Sequence, residues 1–284
     1  MIRPVNFADV VSSRSGAGLR TRLGAVQYLN TRPLVHGLAG GGLEVGYDLP
    51  SRLADRLAAG RLDVGLIPIV EVFRQPDLAI VSNACIGCRG PVMSVKLLFR
   101  TPPERVTSLA LDEGSRTSAV LAQVLLAERY GVRPAVEPLP IGAGSRDTPA
   151  DAILLIGDRA LQDAADCGGF QVIWDLGDEW CRWTGLPFVF AVWAARPRIV
   201  SPTLTARLER SRDAGLASLA AIAAAEAAPH GLTVPQCLSY LRDNLHYHLG
   251  DAETEAVDRF RSHAARLGLV PGAARQAVPL AGSR

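Results

Sequence analysis

Gly24-Ala25-Val26-Gln27-Tyr28-Leu29-Asn30-Thr31-Arg32-Pro33-Leu34 is the stretch whose reading decides the fold class. Leu23, Ala25 and Val26 supply a short apolar strand. Pro33 is predicted as the first helical residue, because its fixed φ suits a helix and its missing N–H is not needed there. Asn30, Thr31 and Arg32 then occupy the turn between strand and helix. Ligands gather at the carboxyl ends of strands in open α/β sheets, and helix N-termini favour anions. Three further junctions of this kind follow, at Pro68-Ile69, Gly114-Ser115-Arg116-Thr117-Ser118 and Gly157-Asp158.

Outward from that stretch, strand-like and helix-like segments alternate, which predicts a layered α/β fold with a mostly parallel sheet. Strands are expected at Leu43 to Leu49, Leu62 to Ile67, Ala79 to Ile86, Met93 to Phe99, Val106 to Leu111, Ala135 to Leu139, Ala152 to Ile156 and Phe188 to Ala194. Ser51 is read as the cap of a helix stopped by Gly60, and Arg116 to Tyr130 as a helix stopped by Gly131. Ser201-Pro202 starts an Ala-rich helix running to about Ala228. Two more helices, near Pro235 to Tyr247 and Ala252 to Leu267, close the chain, with Asp251 as the cap of the last.

Pro102-Pro103 forbids regular structure and marks one crossover between two lobes, with the return near Ala191 to Ala195. The expected division is a first lobe of residues 20–101 and 192–272, a second lobe of 102–191, an N-terminal extension of 1–19 and a loose tail of 273–284. That layout is a hinged clamp with a central cleft and C-terminal helices on the first lobe.

Composition narrows the function classes. With 284 residues, 48% hydrophobic and 20% charged, the chain can bury a sizeable core. Lys96 is the single lysine, so arginine carries nearly all the positive charge. Aspartate and glutamate balance it to a formal +2, and no basic run interleaved with aromatics appears, which argues against a nucleic-acid partner. No apolar run reaches the roughly 18 residues of a membrane span. Met1 to Gly18 carries Arg3, Asn6, Asp9 and Arg14, not the apolar core of an export signal, so a cytoplasmic protein is expected.

The reactive residue types do not gather. Cys85 and Cys88 form a C-x-x-C, but no second pair or spaced histidines complete a zinc site. His36, His230, His246, His248 and His263 are scattered, with the middle pair placed beside Tyr247 in a helix. No metal and no organic cofactor is expected. The polar junctions are the candidates instead. Gly114 permits close backbone approach, Ser115, Thr117 and Ser118 offer hydroxyls, and the helix behind them presents N–H groups; plain capping by Ser115 is the alternative. Asn30 offers a donor and an acceptor, and Ser94 is a candidate for the cleft wall. Trp174, Trp180 and Trp183 are read as packing within the second lobe.

Six stretches resemble one family: Val26-x-Tyr28-Leu29-Asn30-Thr31-x-Pro33-Leu34, Asp63-Val64-Gly65-Leu66-Ile67-Pro68, Gly90-Pro91-Val92-x-Ser94-Val95, Ser115-Arg116-Thr117-Ser118, Ile156-Gly157-Asp158-x-Ala160-Leu161, and Asp175-Leu176-Gly177 through Thr184-Gly185-Leu186-Pro187-Phe188-Val189. From about Arg22 to Val270 the chain is similar to the chorismate dehydratases of the futalosine route to menaquinone. The resemblance implies a two-lobed fold of the type II periplasmic-binding-protein kind. It also implies conversion of chorismate to 3-[(1-carboxyvinyl)oxy]benzoate with loss of water. Asn30 would then be catalytic, with Thr31, Arg32, Pro68, Ser94, Ser115, Arg116, Thr117, Ser118, Gly157 and Asp158 binding substrate. Two other readings share the fold. One is the sister enzyme that makes 1,4-dihydroxy-6-naphthoate, which needs a second-lobe histidine that is missing between His36 and His230. The other is a non-catalytic small-anion binding protein. Gln27 and the Cys85/Cys88 pair depart from the family pattern.

Overall fold

In a computed structural model, which describes residues 20–162 and 169–272, the chain builds two sheets. The expected extension 1–19 and tail 273–284 lie outside the described residues. The chain starts with β1 (Thr21–Val26), a 3-10 helix (Leu29–Val35), β2 (Leu43–Asp48), α1 (Pro50–Ala58), β3 (Val64–Pro68), α2 (Ile69–Arg74) and β4 (Ala79–Cys88). It then forms β5 (Val95–Phe99), β6 (Ser108–Asp112), α3 (Thr117–Tyr130), β7 (Ala135–Leu139), β8 (Ala152–Ile156), α4 (Asp158–Gln162), β9 (Val172–Asp175) and α5 (Leu176–Thr184). It returns through β10 (Phe188–Ala195), α6 (Pro202–Ala217), α7 (Leu219–Glu226), α8 (Val234–Ser239), β11 (His246–His248) and α9 (Asp251–Arg266).

The first lobe holds the sheet β11-β4-β10-β3-β1-β2, and the second holds β7-β6-β8-β5-β9. Both sheets are mixed, not mostly parallel. β5 runs antiparallel between β8 and β9, and β10 antiparallel between β3 and β4. These are the two strands that carry the chain from lobe to lobe, and each enters its new sheet against its neighbours. The crossings therefore fall at residues 89–94 and 185–187, earlier than the expected 99–103 and 191–195. The reason is burial: Leu97, Leu98 and Phe99 are buried against the second sheet, and the following prolines mark only the end of that strand. The division of the lobes shifts with the crossings, so Val95 to Phe99 belongs to the second lobe and all of β10 to the first.

Five local readings change. The helix after β1 is a 3-10 helix that starts at Leu29, with Pro33 inside it. Asn30, Thr31 and Arg32 are thus its first turn, not a loop before it. At α1, Pro50 takes the first helical position and Leu49 is the cap, so Ser51 is already helical. The long Ala-rich helix is broken at Ser218 into α6 and α7. His246, Tyr247 and His248 form a strand paired with β4, where Tyr247 is buried; a one-strand extension of the sheet outcompeted the helical pattern. At α9, Gly250 precedes the helix, and its N–H donates 3.1 Å to the Glu253 side chain, so Asp251 is not the cap.

The 3-10 helix is held from behind by α6. Ser211 Oγ donates to the carbonyls of Leu34 and His36 at 2.9 and 3.0 Å. Beside it, α6 comes so close that a Cβ on Gly215 would sit 2.0 Å from the Pro33 carbonyl oxygen. Gly215→Ala must push the two helices apart. A loss of about 3 kcal/mol is expected, at the upper end for overpacking, and the urea midpoint of the variant measures it.

Candidate functional site

The two lobes meet over a cavity with about 510 Å3 of empty space, part of it open to solvent. Each strand-to-helix junction reaches it. The first lobe supplies Val26, Tyr28, Asn30, Pro50, Pro68, Ile86, Phe190 and Ala191; the second supplies Val95, Ser115, Thr117, Ser118, Ile156 and Gly157. Val92 and Ser94 come from the crossing segment between them. Of the eleven candidates, the structure thus brings Asn30, Pro68, Ser94, Ser115, Thr117, Ser118 and Gly157 to one wall.

The other four are turned to different work. Thr31 is fully buried and donates its hydroxyl to Asn30 Oδ1 at 3.3 Å. Arg32 pairs with Glu226 at 3.1 Å and lies over the Tyr47 ring. Arg116, in the second lobe, reaches across to Asp55 at 2.7 Å and Glu71 at 3.2 Å in the first. Asp158, also in the second lobe, accepts the Leu29 backbone N–H at 3.3 Å and stands 3.5 Å from His230. Burial pushes the Asp158 carboxyl above the usual carboxylate range, with His230 pulling the other way. Polar side chains at helix starts are satisfied either by a ligand or by the opposite lobe, and here Arg116 and Asp158 take the second option.

Thr117 does both. Its side chain lines the cavity, and its Oγ1 donates to the Phe190 carbonyl of the first lobe at 2.9 Å. The start of α3 carries no side-chain cap, so Ser115, the alternative cap, is free to face the cavity. Thr117 and Ser118, the first two residues of that 14-residue helix, both line the cavity, so its uncapped start stands at the wall, where N–H donors suit an anion.

Two tyrosines complete the site, and neither was singled out from sequence for a role there. Tyr28 lines the cavity. Burial, reinforced by the charge of Asp112, pushes its phenol far above its ordinary value, so it stays protonated. Tyr240 stands where α8 gives way to a widened helical turn (Tyr240–Asn244), a form that often marks functional sites. Burial raises the Tyr240 phenol too, and its hydroxyl end lies beside the side chains of Ser94 and Asn30. Asn244, four residues on, donates to the Pro91 carbonyl at 2.9 Å and ties that turn to the crossing. The only sequence signal for Tyr240 was an aromatic on a short C-terminal helix, which looks like core.

The cysteine and tryptophan readings also resolve. Cys88 turns its thiol toward Cys181 on α5, not toward Cys85, so the C-x-x-C spacing joins no pair. Trp180, on α5, stacks edge-on against Phe188 and Phe260 of the first lobe at 5.3 and 5.8 Å. The tryptophan cluster therefore packs across the two lobes, not within the second alone.

Comparison with known proteins agrees with this frame. A family model described as menaquinone biosynthesis matches residues 21–266. A curated chorismate dehydratase of Thermus thermophilus is 31% identical over 264 residues, covering 87% of this chain and 95% of that one. Among solved structures, a protein of Archaeoglobus fulgidus superposes with a TM-score of 0.70 at 17% identity, covering 90% of this chain and all of its own. The periplasmic aliphatic sulphonate binding protein of Escherichia coli superposes at 0.63 with 16% identity, covering 90% of each chain. The fold is thus that of the periplasmic binding proteins. Because the family match runs through both lobes and both crossings, the chain belongs to the menaquinone-biosynthesis family.

Proposed function

We propose that this chain is a chorismate dehydratase, a hydro-lyase that turns chorismate into 3-[(1-carboxyvinyl)oxy]benzoate and water. One observation carries the mechanism. Among the described residues lining the cavity there is no carboxylate, imidazole, amine or guanidinium; Tyr28 is the one ionisable group, and it is held protonated. A wall of that kind has no general base of its own.

Chorismate brings one. Its enolpyruvyl carboxylate lies close to the ring hydrogen that must leave, on the carbon bearing the ether. That carboxylate takes the proton, the C–H electron pair becomes a ring double bond, and the neighbouring C–O bond breaks as the departing hydroxyl collects the proton from the new carboxyl and leaves as water. The ring becomes aromatic, so the step runs strongly downhill. The protein supplies geometry and a site closed to water. Asn30 donates its amide N–H to the carboxylate or the departing hydroxyl. Ser94, Ser115, Thr117, Ser118 and the first N–H groups of α3 hold carboxylate oxygens.

The sister reaction on a naphthoate precursor is disfavoured because His36 and His230 are absent from the cavity wall. Incubating the purified protein with chorismate and following products by mass spectrometry tests the proposal. Loss of 18 mass units with growth of a benzoate absorbance is expected. Unchanged chorismate with saturable binding would instead favour a non-catalytic binding protein.

A further inference from the structure

The polar groups of the cavity account for binding, but the Tyr28 ring does something else. Tyr28 is rooted in the first lobe, just before the 3-10 helix. Its ring rests on the backbone of Gly157 in the second. A Cβ built on Gly157 would lie 2.8 Å from three atoms of that ring, closer than packed carbons come. A Cβ on Gly114, also in the second lobe, would lie 3.4 Å from the Tyr28 hydroxyl. The next residue on each side repeats the contact, since the Leu29 N–H donates to Asp158. Two consecutive residues of one lobe are thus seated on two consecutive residues of the other. Both Tyr28 and Gly157 line the cavity.

We propose that Tyr28 couples lobe closure to completion of the substrate cavity: its ring forms a wall only when seated on the bare backbone of Gly157. Gly157 would then lack a side chain not for helix geometry alone but to admit that ring. When the lobes part, the ring loses its seat and the cavity its far side. The kinetic readout rests on the proposed dehydration, whereas the contact itself does not.

A double-mutant cycle decides it. Gly157 has φ +65, so Gly157→Ala also strains the backbone; Gly131→Ala, at φ +70 with nothing within 4 Å, reports that strain alone. We expect Gly131→Ala to stay within threefold of wild-type kcat/KM and Gly157→Ala to fall at least 100-fold. In a Tyr28→Ala background, adding Gly157→Ala should cost no more than Gly131→Ala does. If Gly157→Ala costs the same factor with and without the ring, the proposal is overturned. Should Gly157→Ala not fold, recovery of folded protein by Tyr28→Ala supports it, and no recovery overturns it. The same cycle read by urea unfolding needs no substrate. A wild type that leaves chorismate untouched would sink the reaction, while non-additive or additive urea midpoints still uphold or overturn the contact.

Discussion

Asn30→Ala should lower kcat by about 10²- to 10³-fold, the usual cost of deleting one preorganised donor aimed at developing charge, while the melting temperature stays within a few degrees. The structure gives the amide a defined orientation. Its Oδ1 accepts the Thr31 hydroxyl at 3.3 Å, and Tyr240 stands beside both Asn30 and Ser94. With Oδ1 taken by Thr31, the amide nitrogen is the group of this cavity-lining side chain that can donate. The side chain is only half-buried, and the hydrogen bond that alanine would abolish is the long one from the Thr31 hydroxyl, so activity falls far more than stability. Steady-state kinetics beside a thermal melt check both halves. Asn30→Asp should be no better than alanine, because its charge would face the substrate carboxylates. Wild-type turnover by Asn30→Ala would remove the amide from the mechanism.

Arg159→Met should unfold far more easily than wild type, by about 3 kcal/mol at neutral pH. Arg159 forms an ion pair with Asp112, whose side chain is fully buried at the end of β6. Asp112 also accepts the Gly114 N–H at 2.9 Å and the Ile156 N–H at 3.3 Å, so it pins the backbone of two junctions that line the cavity. Burial pushes the Asp112 carboxyl above its ordinary value even with Arg159 holding it down. A carboxyl whose folded-state pKa is raised favours the native state below the unfolded value, near 4, and that advantage is lost as pH rises through the folded pKa. Removing Arg159 raises the folded pKa further and enlarges the loss. The stability gap between variant and wild type should therefore be widest at neutral pH and narrow toward pH 4. Urea midpoints across that range measure it. A gap independent of pH would mean that the loss is packing alone.

Much of the architecture was legible from local signals. The apolar segments at Leu23 to Val26 and Ala152 to Ile156 alternate with helix starts, and Gly131 after Tyr130 is a helix stop on φ grounds alone. The polar residues at the four junctions were found in the same way. Segments whose partners lie far along the chain were misplaced. Val95 to Phe99 reads as a strand wherever it pairs, and only its neighbours β8 and β9 assign it to the second lobe. His246 to His248 has a helical pattern, yet pairing with β4 makes it a strand. Asp175, which caps α5 by accepting the Gly177 and Asp178 N–H groups, sits in a motif that predicted kinship but no particular element.

The amino-acid order alone determined that this is an α/β chain with hydroxyls, an amide and glycines at the carboxyl ends of its strands, because turn chemistry and strand burial act over a few residues. Tertiary structure decided which of those groups look inward. Arg116 and Asp158 occupy the same kind of position as Ser115 and Gly157, but their partners Asp55, Glu71 and the Leu29 N–H lie on the opposite lobe. A charge at a helix start is satisfied by whatever is brought within about 3 Å of it, and that is settled only when the two lobes meet.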